Sequence, residues 1–287
     1  MSYNLYIFLL LLITIYVDIF GHIENFEEKK HYDVIISINV HEKFDFLKKQ
    51  LDNIRDNVKC NYAVILNCNE FMFNECKNNN DILPENVYIH PVILEKRTYH
   101  GSLVNGIYNN MMYALDNFTF EFFISTSSRN LFDNDMELSD LHKLVKMGKT
   151  HIEYGKVFEE IENNKKWHWP SIEKTLLAKH LIETNQKFYV SPHEGLMLSI
   201  KGCRKIVEFL ENKPEIKKDL FQFETCVEEF ALQTISMNMG EPIYYIGNGC
   251  CSEAPIDKSN SDTLFMYKTR REMMQNPNTF VKCAVRA

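Results

Sequence analysis

Glycine and proline are scarce in this 287-residue chain, at 10 and 8 residues, which predicts a molecule of regular elements with few Gly- or Pro-built turns. No G-x-G-x-x-G or P-loop pattern is present, which disfavours dinucleotide and ATP chemistry. Ser125, Ser127 and Ser128 lack the G-x-S-x-G elbow of a hydrolase triad. None of the eight cysteines (60, 68, 76, 203, 226, 250, 251 and 283) has zinc-ligand spacing. No basic stripe forms either: 32 Lys and Arg face 39 Asp and Glu, and a net charge of −7 argues against nucleic acid as a partner. What is present, 45% hydrophobic, 13% aromatic and 25% charged residues, excludes disordered, collagenous and disulfide-knot classes. The length suits one α/β domain of about 250 residues.

The most lopsided stretch is the start, where Leu5 to Val17 runs thirteen residues without a charge before Asp18. A membrane span needs ~20 residues, so Tyr3 to Phe20 reads as a marginal anchor, and a signal-peptide core fits it equally well. The following flank is acidic overall (Glu24, Glu27 and Glu28 against Lys29 and Lys30), which leaves the N-terminus cytoplasmic and sends the rest into the lumen. The expectation is a signal-anchor or signal peptide over 1–21 and a short stem over 22–32. The protein is then single-pass type II in the Golgi or ER membrane, or secreted after cleavage. An even number of cysteines predicts disulfides in that oxidising compartment, and Asn117-Phe118-Thr119 is a glycosylation sequon.

Along the chain, DVIISINV (33–40), YAVILNC (62–68), NVYIHPVI (86–93) and FEFFIST (120–126) read as strands. Phe44, Leu47, Leu51, Ile54 and Val58 mark one helix and Ser102–Leu115 another, with a polar Asn-rich loop at 74–81. Alternating strand and helix predicts a parallel sheet covered by helices. Further helices are expected at Ser139–Met147, Ser171–Thr184, Lys201–Glu211 and Thr225–Met239, and strands at Lys187–Val190, Gly195–Ser199 and Pro242–Ile246. Residues 154–170 read as a long loop over the site. Ligands of α/β sheets lie beyond the carboxyl ends of strands, which directs attention to Asn39–Glu42, Asn67–Glu70 and Thr126–Asn130.

Three ordered segments carry a resemblance. HGSLVNGIYNNMMYALDN (100–117) with FEFFISTSSRNLF (120–132), EGLMLSIKGCRKIVEFLENKPEIKKDL (194–220) and TCVEEFALQTI (225–235) resemble motifs of the core-2/I-branching β-1,6-N-acetylglucosaminyltransferase family. FVKCAV (280–285) is similar to its C-terminal ending. His100 in place of Trp, and Ser128-Arg129-Asn130 in place of G-x-D, depart from the pattern. The resemblance implies a GT-A-type nucleotide-sugar-binding α/β fold, a mixed sheet flanked by helices forming a single catalytic domain over 33–287. It implies inverting, metal-independent transfer of a sugar, N-acetylglucosamine first, from a UDP-sugar donor to a carbohydrate acceptor. Related layouts include a xylosyltransferase acting on Ser or a glycan, and a non-catalytic carbohydrate- or nucleotide-sugar-binding protein.

Glu229 is the candidate catalytic base. Thr225-Cys226-Val227-Glu228 reads as a capping box, which gives Glu228 a structural role and leaves Glu229 beside the buried face of Val227, Phe230, Ala231 and Thr234. The resemblance makes Glu229 the group that deprotonates the acceptor; the plain alternative is a carboxylate complementing the helix dipole. Asp133-Asn134-Asp135 looks like a metal motif but sits several residues beyond the strand end, where helix-entry carboxylates are common, so no metal is expected. In place of a metal or a glycine-rich loop, Lys282, with Arg270 or Arg271, is expected to neutralise the departing diphosphate. Glu194 and Gly195 head a strand at a sugar-binding position of the resembled family, and Arg129 follows the central strand. Trp167 and Trp169 suit stacking on a sugar ring, or packing beneath their loop.

Overall fold

The structure, a computed structural model, describes residues 29–97, 100–128, 130–132, 134–148, 171–191, 193–248 and 266–268. The chain divides into two compact units, residues 1–31 and 32–287, and the following concerns the second. The expected anchor over 1–21 lies outside the described residues, among which no helix is long and apolar enough to cross a membrane.

The architecture is α/β. Strands β1 (Lys30–Val40), β2 (Tyr62–Cys68), β3 (Val87–Ile89), β4 (Phe118–Ser127), β6 (Leu196–Ser199) and β7 (Ile243–Tyr245) form one mixed sheet in the order β3-β2-β1-β4-β6-β7. β1, β2 and β3 pair in parallel, as the alternation predicts, whereas β6 runs antiparallel to both β4 and β7. A second, three-stranded sheet has the order β5 (Asn130–Phe132), β9 (Met266–Lys268), β8 (Gly247–Asn248). Thr126 near the end of β4 donates to the Ser37 carbonyl near the end of β1 (3.1 Å), so the carboxyl ends of these neighbours share one edge.

Both faces of the large sheet are buried, which is why its strands are almost continuously apolar. Side chains alternate across it. Ile35, Ile65, Phe123 and Leu198 face helices α3 (Ser102–Asn117), α5 (Leu176–Glu183), α6 (Ile200–Glu211), α7 (Pro214–Gln222) and α8 (Ala231–Asn238). Ile36, Ile38, Val64, Leu66 and Ile124 face α1 (Phe44–Asn57), α2 (Glu70–Asn78) and α4 (Leu138–Lys146).

Several elements differ from expectation for local reasons. The Asn-rich segment is helix α2 and a 3-10 turn, Asn80–Ile82, because Asn69 Oδ1 accepts from Met72 N (3.0 Å) and caps the helix start. Ser171–Thr184 divides into a 3-10 turn, Ile172–Lys174, and α5, because Thr175 Oγ1 accepts from Ala178 N (3.1 Å) and opens a new helix. α7 was not expected; Pro214 stands in its first turn, where a missing N–H costs nothing. Lys187–Val190 is no strand. Its backbone is satisfied by side chains of α8: Thr234 Oγ1 with Tyr189 N and O (2.9 and 2.8 Å), and the Asn238 amide with Lys187 N and O (3.2 and 2.7 Å).

The expected disulfides do not form among the described residues, where Cys60, Cys68, Cys76, Cys203 and Cys226 are free thiols. Phe123 is fully buried at the centre of the sheet, so Phe123→Ala is expected to lower stability by about 3–5 kcal/mol in urea unfolding, a cavity cost.

Candidate functional site

The site grows from the junction where β6 begins. Because β6 runs antiparallel to β4, its first residues lie beside the carboxyl end of β4, with Met197 opposite Ile124. Gly195 joins three strands there: its N–H donates to the Ser125 carbonyl (2.7 Å) and its carbonyl accepts from Ile246 N (2.9 Å). Its φ is +90°, and a Cβ would come within 2.6 Å of Gly247 N, so only glycine fits. The clamp fixes the two preceding residues, His193 and Glu194, at the carboxyl edge of the sheet, with the ring Nδ1 3.4 Å from Glu194 Oε2 and both side chains buried.

A second tether brings in the 3-10 turn Val227–Glu229. Ser191 N donates to the Glu229 carbonyl (3.0 Å), and Gln233 Nε2 donates to the carbonyls of Ser191 and Glu228 (3.0 Å each). The sequence expectation of one capped helix over Thr225–Met239 is corrected here. Cys226, not Thr225, precedes the turn, it provides no side-chain cap, and Phe230 breaks the path (φ −130°, ψ −49°) before α8 starts at Ala231. The Glu229 carbonyl is drawn to Ser191, outside any helical ladder, which is the physical reason for the break.

The break decides which carboxylates meet. His193, Glu194 and Glu229 place one candidate ligand atom each within 4.8 Å of one another. Glu228 is not the reaching-back member of a capping box. It is 2% exposed, and its Oε2 has no hydrogen-bond partner among the described residues. Burial, assisted by the charges of Glu229 and Glu194, pushes its carboxyl up to about 8, while its own backbone N–H and the Cys226 thiol pull the other way. The same acidic surroundings, after burial itself, raise the Cys226 thiol. Ser125 Oγ, at the end of β4, is also buried without a partner among the described residues.

Three carboxylates and an imidazole gathered at one junction, all buried but the half-buried Glu229, can take a proton from a hydroxyl, or hold a divalent cation. They repel an anionic leaving group unless cations lie between. Those expected for this task, Lys282, Arg270 and Arg271, lie outside the described residues, as do Arg129, Trp167, Trp169 and the loop over 154–170. Asp133 is outside as well. Asp135 is exposed and points at Lys59 (3.6 Å), while Asn117 of the sequon is exposed, with its amide donating to the Tyr113 carbonyl (2.8 Å).

The structure thus brings together Glu229, Glu194 and Gly195. It adds His193 and Glu228, which the sequence reading passed over. The adjacency of His193 to Glu194 was a visible signal, whereas Glu228 was hidden by a plausible cap.

A group whose folded value lies above its unfolded one keeps its proton in the folded state, so stability falls as pH rises through the interval between them. For Glu228 that interval runs from roughly 4.5 to about 8. The melting temperature of the parent protein should therefore decline across it. Glu228→Gln should flatten the profile and, by calorimetry at pH 8.5, melt higher by on the order of 5 °C. No protein-family model matches this chain, and no curated protein matches it either.

Proposed function

We propose that the chain is an inverting glycosyltransferase of the GT-A type, moving a sugar, N-acetylglucosamine first, from a UDP-sugar to a glycan hydroxyl on the luminal side of a Golgi or ER membrane. The observation that carries this reading is the position of Glu229, at the carboxyl edge of a mixed α/β sheet and within 4.8 Å of His193 and Glu194. That edge is where α/β sheets receive nucleotides and substrates.

In the proposed step the Glu229 carboxylate removes the proton of the acceptor hydroxyl as its oxygen attacks the anomeric carbon. The bond to the β-phosphate oxygen breaks on the opposite face, and UDP leaves with the electron pair. Glu194 and the protonated Glu228 stand beside Glu229 and keep it among acidic groups. Glu194 and the Gly195 backbone border the sugar position, with Arg129, Trp167 and Trp169 as further donor and acceptor contacts. Lys282 and Arg270 or Arg271 neutralise the diphosphate, so the transfer needs no metal.

One rival is favoured by a specific observation. The atoms of His193, Glu194 and Glu229 lie close enough to grip a divalent cation, which would make the transfer metal-assisted and occupy Glu229. UDP release in a screen of UDP-sugars and glycan acceptors separates the two. Under the proposed mechanism Glu229→Gln lowers turnover about 10²–10⁴-fold while EDTA leaves the parent rate unchanged. Loss of the parent activity in EDTA would establish the metal-assisted form, and near-full turnover by Glu229→Gln would remove Glu229 as the base.

A further inference from the structure

The acidic junction at β6 is one part of the carboxyl edge; a cation is enclosed at another. Asn39 of β1 and Asn67 of β2 are register partners near the ends of two parallel strands. Leu94 N donates to the Cys68 carbonyl (3.0 Å), which runs the segment after β3 along the end of β2 and delivers Lys96 there. Its Nζ donates to Asn67 Oδ1. Asn39 is fixed by its own amide, which donates to the Leu103 carbonyl of α3 (2.9 Å), so its Oδ1 is turned toward Gly106. A Cβ on Gly106 would overlap Asn39 Oδ1 and come within 2.8 Å of Lys96 Nζ, so the missing side chain is what lets amide, amine and helix share this space. Asn39 Oδ1 is buried and has no hydrogen-bond partner among the described residues.

The Asn67 carboxamide orients the Lys96 amine without neutralising it, and Asn39 Oδ1, unpartnered among the described residues, faces the same space beside Gly106. No carboxylate forms an ion pair with it among the described residues. The titratable groups that bear on it are the Cys68 thiol and Glu95, and the amine in turn lowers His90, which burial already lowers. Burial lowers the Lys96 amine to about 7, a direction opposed only by the Cys68 thiol and Glu95. An ammonium withdrawn from water without a counter-ion is costly, and the economical complement is an anion brought by a ligand. The strand order reverses at β1, with β2 on one side and β4 on the other, and crevices at such reversals are where α/β sheets take phosphorylated ligands.

We infer that Lys96, oriented by Asn67 and lying with Asn39 against Gly106, is the phosphate-binding group of a nucleoside-diphosphate subsite at the carboxyl ends of β1 and β2. The identity of the nucleotide as UDP rests on the glycosyl-transfer reading; the need for a phosphate anion does not. The subsite supplies a cation from the parallel half of the sheet, apart from the C-terminal cations expected on sequence grounds.

The test is calorimetric titration of the full chain with UDP, inorganic pyrophosphate and uridine. The parent protein should bind UDP and pyrophosphate. Lys96→Met should weaken both at least tenfold and leave uridine unchanged. Asn39→Asp, which places a carboxylate beside the amine, should supply the counter-ion internally: the folded state keeps or gains stability in urea while pyrophosphate affinity falls at least tenfold. A purely structural lysine would not produce that split, and the second variant keeps the test decisive where Lys96→Met does not fold. Parent-like pyrophosphate binding by either folded variant, or no binding of pyrophosphate and UDP by the parent, overturns the subsite. Lys96-dependent pyrophosphate binding without turnover of any UDP-sugar upholds the subsite and counts against glycosyl transfer. UDP-sugar turnover and UDP affinity unchanged in Lys96→Met do the reverse.

Discussion

The backbone of Gly195 is the constraint on which the site depends. Its N–H is held by β4 and its carbonyl by the start of the β7–β8 segment, at a φ that other residues adopt only with strain. Because both polar groups are spent on neighbouring strands, the chain before it must pass close over the carboxyl edge of β4. His193 and Glu194 are lowered into the interior as a result. The bond from Ser191 to the Glu229 carbonyl then ties the turn Val227–Glu229 to the same segment, so one glycine and one backbone hydrogen bond assemble groups nearly forty residues apart.

Assembly of this kind costs electrostatic energy that the surrounding fold has to support. Glu228 bears the cost most visibly, as a carboxyl 2% exposed, beside two others and with one oxygen unpartnered among the described residues. It keeps its proton in preference to carrying a charge. The helices packed against the sheet, with Val227, Phe230, Ala231 and Leu232 all fully buried, give the turn no freedom to swing its acids into water. At the β1 and β2 ends the problem has the opposite sign, where Lys96 is enclosed with neutral amides. In the proposed transfer the acids at one station of the sheet edge would meet the acceptor hydroxyl, and the enclosed amine at the other would meet the donor phosphate.

Much of the scaffold was legible in the sequence. β1, β2 and β4 are β-branched and aromatic runs whose alternate residues face opposite helical layers, and α1, α3 and α6 follow the helical period of their apolar residues. These patterns are local, and burial on both faces makes them dense. The less regular half was harder to read. The extended stretch Lys187–Val190 looked like a strand because its residues suit one, yet Thr234 and Asn238 satisfy its backbone in place of a neighbouring ladder. Helix α2 was obscured by asparagines, one of which, Asn69, turned out to be its cap.

An α/β sheet covered on both faces was readable from the sequence because apolar periodicity is a property of neighbouring residues, whereas Glu229, Glu194 and Gly195 were singled out through the family resemblance of their segments. Tertiary structure decided which acid is buried, where the helix breaks, and that Lys96 is enclosed between two asparagines. Each of these depends on backbone or amide partners far away in the chain: Ser191 for Glu229, Leu103 for Asn39, Asn67 for Lys96. Hydrogen bonds over such separations leave no periodic trace, and the desolvation that sets the charge of Glu228 and Lys96 exists only once the chain has closed around them.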